Sequence, residues 1–334
     1  MTFKDKTVLI TGGTGSFGKT CARMLLEQDV CQKVIIFSRD EWKQWQMKDC
    51  DPIFSHPKIR YFLGDIRDPE RLKRAFSDVH YVIHAAALKQ VPAAEYNPSE
   101  FVKTNVNGAM NIIDAAIEAR VEKVIALSTD KAVNPVNLYG ATKLCSDKLF
   151  IAANAYVGKR ERPIFSVVRY GNVLGSRGSL LPHWKALLAK GETSLPITDE
   201  RMTRFWITLE QAVQFVTLCT KRAVGGEIFI PKIPSVRIVD LAKALMKEPK
   251  YTICGIRPGE KIHEVLLSED DSRSAIELAD CFIQIPLHTN RAYSHWANEK
   301  KVNPGYIFSS NTNPMMLQTI DEVRQLIKHA PEEK

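Results

Sequence analysis

The segment Thr11-Gly12-Gly13-Thr14-Gly15-Ser16-Phe17-Gly18 constrains this chain more than its composition does. It follows directly on the apolar run Thr7-Val8-Leu9-Ile10 and opens a helical pattern carried by Cys21, Met24, Leu25 and Leu26. Glycines at Gly12, Gly15 and Gly18 let a backbone turn tightly and bring free amide donors up to an anion at a helix start. A strand before and a helix after make such a match informative. They predict a dinucleotide site, with Gly12, Thr14, Gly15, Ser16, Phe17 and Gly18 around the pyrophosphate.

The strand-then-helix alternation continues along the chain. Lys33–Phe37, Ile59–Leu63, Tyr81–Ile83, Val124–Leu127 and Phe165–Tyr170 are apolar runs, and a helical pattern over Asn107–Ala119 carries Ile112, Ile113, Ala116 and Ile117. Alternation of this kind predicts an α/β fold with a doubly wound parallel Rossmann sheet. At 334 residues the chain has room for a second part. The expected division is a nucleotide-binding domain over 1–170, with later segments returning to it. A smaller, mainly substrate-binding α/β domain is expected over 171–334, with a helix in Val236–Leu245.

The strand ends carry the candidate cofactor contacts. Ser38-Arg39-Asp40-Glu41, with Lys43 beyond, ends the second run. An arginine there suits the 2′-phosphate of NADP, whereas an acid suits the ribose of NAD. Ser38 and Arg39 favour NADP, while Asp40 keeps NAD open. Asp65, followed by Ile66, can bond an adenine amino group or cap a helix. His84 reads as a packed core histidine, and Ala85-Ala86-Ala87 leave room for a ring system. Lys89 can reach a diphosphate or sugar, and Asn105 can serve the active-site helix or the loop after the fifth strand.

That loop is the chemical centre. Ser128-Thr129-Asp130-Lys131 sits at a strand's carboxyl end, where ligands of open α/β sheets bind. Tyr139 and Lys143, four apart on a helix, share one face. An ammonium beside a phenol favours the phenolate and would bring it toward working pH as a base. Taken alone, the spacing fits an exposed surface pair equally well.

Composition excludes more than it selects. The net charge of +8 could attract nucleic acid, a membrane or an anionic small molecule. No recognisable nucleic-acid module is present, and Lys159-Arg160-Glu161-Arg162 reads as a solvated loop. Seven scattered cysteines without a CxxC pair point to reduced thiols. The polar start Met1–Lys6 and the lack of a transmembrane-length run predict a cytoplasmic protein with no membrane contact. No metal-ligand spacing occurs, so no metal is expected.

Together, TGxxGxxG, Asp65-Ile66, His84-Ala85-Ala86-Ala87, Ser128–Lys131 and Tyr139-xxx-Lys143 resemble the extended short-chain dehydrogenases/reductases acting on nucleotide sugars. Thr129-Asp130-Lys131-Ala132-Val133-Asn134-Pro135-Val136-Asn137-Leu138-Tyr139-Gly140 is similar, more narrowly, to the soluble inverting UDP-N-acetylglucosamine 4,6-dehydratases of the pseudaminic acid pathway. The likeness continues through Arg169–Val173, Gly175–Ser179, Pro196–Asp199, Met202–Trp206, Gly226–Lys232 and Gly255–Lys261. Thr-Asp-Lys fits the N-acetylglucosamine group, whereas relatives acting on dTDP-glucose carry Thr-Asp-Glu. Tyr139 distinguishes the chain from membrane-anchored relatives with methionine there.

The resemblance implies roles. Tyr139, with Lys143, takes the C4 hydroxyl proton while hydride passes to NADP. Lys131 is the C5 base and must be neutral, Asp130 is the acid for the departing C6 hydroxyl, and Thr129 donates to the sugar. Burial is expected to push the lysine down and the acid up. Val173 and Thr104 join the cofactor set. Lys89, Asn172, Leu181, Ile197, Thr198, Arg204, Arg257 and Glu260 join Thr129 around UDP-N-acetylglucosamine, with Arg204 and Arg257 on the diphosphate and Glu260 on the uridine ribose. A homo-oligomer, with a hexamer among its forms, is also implied. A C4 epimerase and a non-catalytic NADP-binding scaffold or sensor stand as alternatives.

Overall fold

The computed structural model describes residues 3–158, 162–246, 248, 250–285 and 294–330. Residues 159–161 of the basic run therefore lie outside the described residues. Six strands in the first half are β1 (Thr7–Thr11), β2 (Lys33–Ser38), β3 (Ile59–Leu63), β4 (Tyr81–His84), β5 (Lys123–Thr129) and β6 (Ile164–Tyr170). Further on come β7 (Asn172–Val173), β8 (Leu195–Ile197), β9 (Thr203–Ile207), β10 (Ile228–Pro231), β11 (Ser235–Arg237) and β12 (Tyr251–Ile253). The last are β13 (Val265–Leu267), β14 (Ala275–Glu277), β15 (Cys281–Gln284) and β16 (Phe308–Ser309).

The main sheet runs β14-β15-β10-β6-β5-β4-β1-β2-β3. From β3 to β10 every pairing is parallel, and β15 returns antiparallel to β10. The order 3-2-1-4-5-6 is that of a doubly wound Rossmann sheet, as the alternation predicts. Strands such as β1 and β6 are buried along their whole length, which is why they read as continuous apolar runs rather than alternating ones. Parallel register puts Thr11 level with His84, and Thr129 level with Tyr170, so the carboxyl ends share one edge.

A second core lies apart from the sheet. Leu174, Leu181, Trp184, Leu195, Ile197, Trp206, Val236, Leu241 and Val323 form it, drawing on helices Leu180–Ala189, Ile238–Leu245 and Ile320–Lys328. The predicted helix within Val236–Leu245 starts at Ile238, because Val236 and Arg237 pair with β9. Three-stranded β11-β9-β7 bridges the two cores: Phe205 and Ile207 pack into the first, and Trp206 into the second. Among the described residues, no helix is long and apolar enough to cross a membrane, and no group of His, Cys, Asp and Glu is placed to hold a metal.

Candidate active site

The Gly-rich turn lies against β4. Gly12 has φ of +65°, and a Cβ on it would sit 2.9 Å from the backbone of Ala86, so a larger residue meets both strain and collision. Gly18 is packed on Gly13 equally tightly. Gly15 caps helix Ser16–Glu27 without any side-chain cap, leaving first-turn amides for an anion. Small Ala85, Ala86 and Ala87 follow β4 beside this turn. These features fit a dinucleotide pyrophosphate, and Thr14, Ser16 and Phe17 are in the same turn.

At the end of β2 the candidate residues separate. Ser38 is buried and accepts from the Gln44 amide at 3.0 Å, while Arg39 is exposed and 4.0 Å from Asp65. Asp40 caps helix Glu41–Cys50 by accepting from the Lys43 amide at 3.0 Å, and the Lys43 ammonium pairs with it at 2.9 Å. The NAD-selecting role held open for Asp40 thus meets a carboxylate already engaged. Glu41 and Lys43 point outward. Asp65 accepts from the Arg67 guanidinium at 2.8 and 3.0 Å, and despite the opposing effect of partial burial this holds its carboxyl below the usual range. The helix cap belongs to Asp68. Ile66 is buried in the main core, and Thr104 Oγ1 is buried without a hydrogen-bond partner.

Strand β5 carries the chain to Thr129, and Asp130–Ala132 form a 3₁₀ turn, so consecutive residues project from a buried strand tip. Asp130 is fully buried. Thr129 Oγ1 donates to Asp130 Oδ1 at 2.9 Å, and Lys131 Nζ donates to the same oxygen at 3.1 Å. Helix Leu138–Tyr156 starts at the Asn137 cap and presents Tyr139 and Lys143, both buried, to this turn. Gly140 has to be glycine here: a Cβ would collide with the Lys131 carbonyl oxygen. The Tyr139 hydroxyl shares a hydrogen bond with the Thr129 side chain. Thr129, Asp130, Lys131 and Tyr139 are therefore adjacent, while Lys143, one turn along the helix, is buried near Asp147.

Two electrostatic expectations are corrected. Burial opposes the Lys131 ammonium, yet Asp130 and a second carboxylate, Glu264 Oε1 at 3.1 Å, outweigh both burial and repulsion from Arg204. The net shift is upward, not toward the neutral amine. Tyr139 is pushed up to about 12, because burial exceeds the help from Lys131 and the Thr129 hydrogen bond. Lys143, expected to acidify the phenol, is itself lowered by burial, partly offset by Asp147.

Around this centre, Lys89 sits on the rim, lowered by partial desolvation and by Arg177 and Lys131. Asn172 and Val173 form β7, level with Trp206 and Ile207 of β9. Leu181 and Ile197 are fully buried in the second core, and the Ile197 carbonyl already accepts from the Cys254 amide, so neither is presented to a ligand; Thr198, next along, is half-buried. Arg257 is exposed, and its amide bonds Glu260 at 3.3 Å. Arg204 departs from expectation. Its guanidinium is buried, donating to the carbonyls of Thr203, Ile262 and Lys261 at 2.7 to 3.0 Å, and is not presented to a diphosphate.

Three residues at the site escaped prediction of a definite role. Asn105, in a π-helical turn at Val102–Asn107, brackets the backbone of Leu88 and bonds Thr142 at 3.0 Å, serving the active-site helix. Arg177 donates to the Thr14 carbonyl at 2.7 Å, and its amide bonds Ser16 Oγ. Its only sequence signal is the Gly-Ser-Arg-Gly-Ser run. Glu264 has none, since Lys131 lies far from it along the chain.

A polysaccharide biosynthesis protein family model matches residues 8–286. The chain belongs to that family. A UDP-N-acetylglucosamine 4,6-dehydratase (inverting) of Campylobacter jejuni subsp. jejuni serotype O:2 is 53% identical over 334 residues, covering 98% of each chain. A UDP-glucose 4-epimerase of Rickettsia canadensis is 40% identical over 342 residues, covering 99% of this chain and 98% of the other. Among solved structures, Pen from Bacillus thuringiensis superposes with a TM-score of 0.89 at 39% identity, covering 98% of each chain. The family thus includes relatives named for dehydration and for epimerisation, and geometry has to separate them.

Proposed function

We propose that this protein is a C5-inverting UDP-N-acetylglucosamine 4,6-dehydratase. It would form UDP-2-acetamido-2,6-dideoxy-beta-L-arabino-hex-4-ulose as the first step of pseudaminic acid biosynthesis. The observation that carries the reading is the Asp130–Lys131 pair, amine and carboxyl 3.1 Å apart at a buried strand tip beside the Tyr139 hydroxyl. An epimerase needs the phenol but has no task for a second acid and base.

The Gly12–Gly18 turn and the first amides of helix Ser16–Glu27 would hold a nicotinamide nucleotide, which would supply the acceptor for the C4 hydride and its donor to C6. Tyr139 takes the C4 hydroxyl proton, with Thr129 steering the phenol. The resulting ketone makes the C5 hydrogen acidic enough for an amine. The protons then balance within the pair: an ammonium beside a carboxylate becomes an amine beside a carboxylic acid by moving one proton 3.1 Å. Lys131 takes the C5 proton, Asp130 gives its own to the leaving C6 hydroxyl, and C5 is reprotonated from solvent on the opposite face while Tyr139 returns its proton to solvent. Such a pair titrates as a unit.

NADP is the cofactor we infer. Support comes from exposed Arg39 and from Asp40, whose carboxylate is occupied as a cap. Asn172, Thr198, Arg257, Glu260 and Lys89 are the proposed substrate contacts. The 1–170 and 171–334 division belongs to the same reading, as does a cytoplasmic homo-oligomer, for which exposed Tyr96, Val102 and Met110 supply apolar surface.

The test is incubation with NADP and UDP-N-acetylglucosamine in deuterated water. The expected product is lighter by one water, labelled at C5, with L-arabino ring couplings by NMR. UDP-N-acetylgalactosamine formed instead, without loss of water, would establish the epimerase. Turnover unaffected by Lys131→Ala would remove the pair from the chemistry.

A further inference from the structure

Glu264 is the one strongly buried carboxylate beside Lys131 that the reaction above leaves without a task. It is 2% exposed, its Oε1 lies 3.1 Å from Lys131 Nζ and 3.9 Å from Arg204 Nε, and its Oε2 has no hydrogen-bond partner. Lys261 Nζ lies 4.0 Å from Oε2, so the carboxylate faces three cations, and burying it costs stability unless its geometry is fixed. What holds it is the backbone. The Glu264 amide donates to Ser310 Oγ at 2.9 Å, its carbonyl accepts from the Ser310 amide at 2.8 Å, and β13, directly after it, pairs with β16. Ser310 Oγ is in turn 2.6 Å from Thr203 Oγ1. A rigid clamp thus delivers one carboxylate from the second half of the chain to an amine in the first.

Resting on the dehydratase reading, we infer that Glu264 is a positioning residue for the C5 base. It holds Lys131 Nζ at the site's edge and raises the amine's affinity for the proton it removes from C5. Lys131 is then flanked by two carboxylates, Asp130 and Glu264, each 3.1 Å from its Nζ. Asp130 also touches Thr129, beside Tyr139, and passes a proton to the substrate; Glu264 is directed at the amine and at Arg204 and passes none. Other charged or titratable groups acting on Lys131 or this cluster are Arg204, Lys261, Lys89 and Tyr139.

Removing the Glu264 charge makes the Lys131 proton easier to lose, so the alkaline limb of activity moves to lower pH. The experiment compares wild type, Glu264→Gln and Glu264→Asp with NADP and UDP-N-acetylglucosamine in deuterated water across pH, following deuterium entry at C5 and reduced-nicotinamide absorbance. For Glu264→Gln, C5 exchange is expected to fall about 100-fold, with the alkaline limb shifted down. The C4 oxidation that depends on Tyr139 should continue, so reduced nicotinamide accumulates. Glu264→Asp keeps the charge at shorter reach: its limb stays in place while the rate falls, which tests the inference even if the glutamine variant fails to fold. In a Lys131→Ala background, Glu264→Gln should add nothing, since contacting residues that act as a unit are not additive.

The inference is overturned if either variant matches wild type in both limb and rate, if all steps slow equally, or if the double variant is additive. A wild type that neither exchanges C5 nor loses water fails the dehydratase reading instead.

Discussion

His84 shows how far burial overrides a residue's usual chemistry. It is 2% exposed, packed on Phe150 with centroids 5.4 Å apart, and its Nδ1 is 2.7 Å from Thr11 Oγ1. Burial first, then repulsion from Lys143, pushes it down to about 3. The unfolded chain takes up this proton near pH 6.5 and the folded one does not, so the stabilisation is complete above 6.5. It is lost as pH falls toward 3, by at most about 1.4 kcal/mol per pH unit. Replacing His84 with Asn should flatten the fall of the urea midpoint between pH 6 and 4 by about one proton. An unchanged slope would mean that the ring is charged in the fold. The same competition governs Lys131, where burial loses because two carboxylates face the amine.

At the scale of elements, strands and their order were legible because a parallel strand covered on both faces has to be apolar throughout. Ser128 to Tyr139 was legible because its parts are near neighbours in the chain. Arg204 was misread where a guanidinium contact was expected, since sequence shows a residue type but not which way it turns. Glu264 and Arg177 were missed because their partners, Lys131 and Thr14, come from remote segments. Asn105 is intermediate: visible as a polar residue in a helical pattern, yet undefined until Leu88 is placed beside it. Asn105→Ala takes the partner from the half-buried Leu88 amide and carbonyl and removes a bond to buried Thr142, at an expected cost of about 1–3 kcal/mol in all. Chemical denaturation measures that loss, and turnover should drop with it as helix Leu138–Tyr156 loosens. A variant with wild-type stability would show that water replaces the amide freely.

Across the whole molecule, the loop at Gly175–Ser179 reaches back to the Gly-rich turn through Arg177, joining a segment after β7 to the first helix. A cofactor that is regenerated within each turnover has no reason to leave, and this strap lies beside the pyrophosphate cradle. Arg177→Ala should therefore release a bound nicotinamide nucleotide about 10-fold faster, a loss of about 1.4 kcal/mol. Cofactor carried through gel filtration, read from the absorbance ratio, checks it. Equal retention by variant and wild type would reduce Arg177 to a loop anchor.

The two strands that close the main sheet, β15 and β14, arrive only after the chain has visited the second core. Cutting the gene between the halves would strip β6 of its outer neighbour, β10, and bare a row of unpaired amides and carbonyls, an invitation to aggregate. A lineage built this way cannot trade substrate preference by swapping a detachable module. It has to change taste by rewriting loops in place, which suits a family whose members share full-length likeness while their names differ.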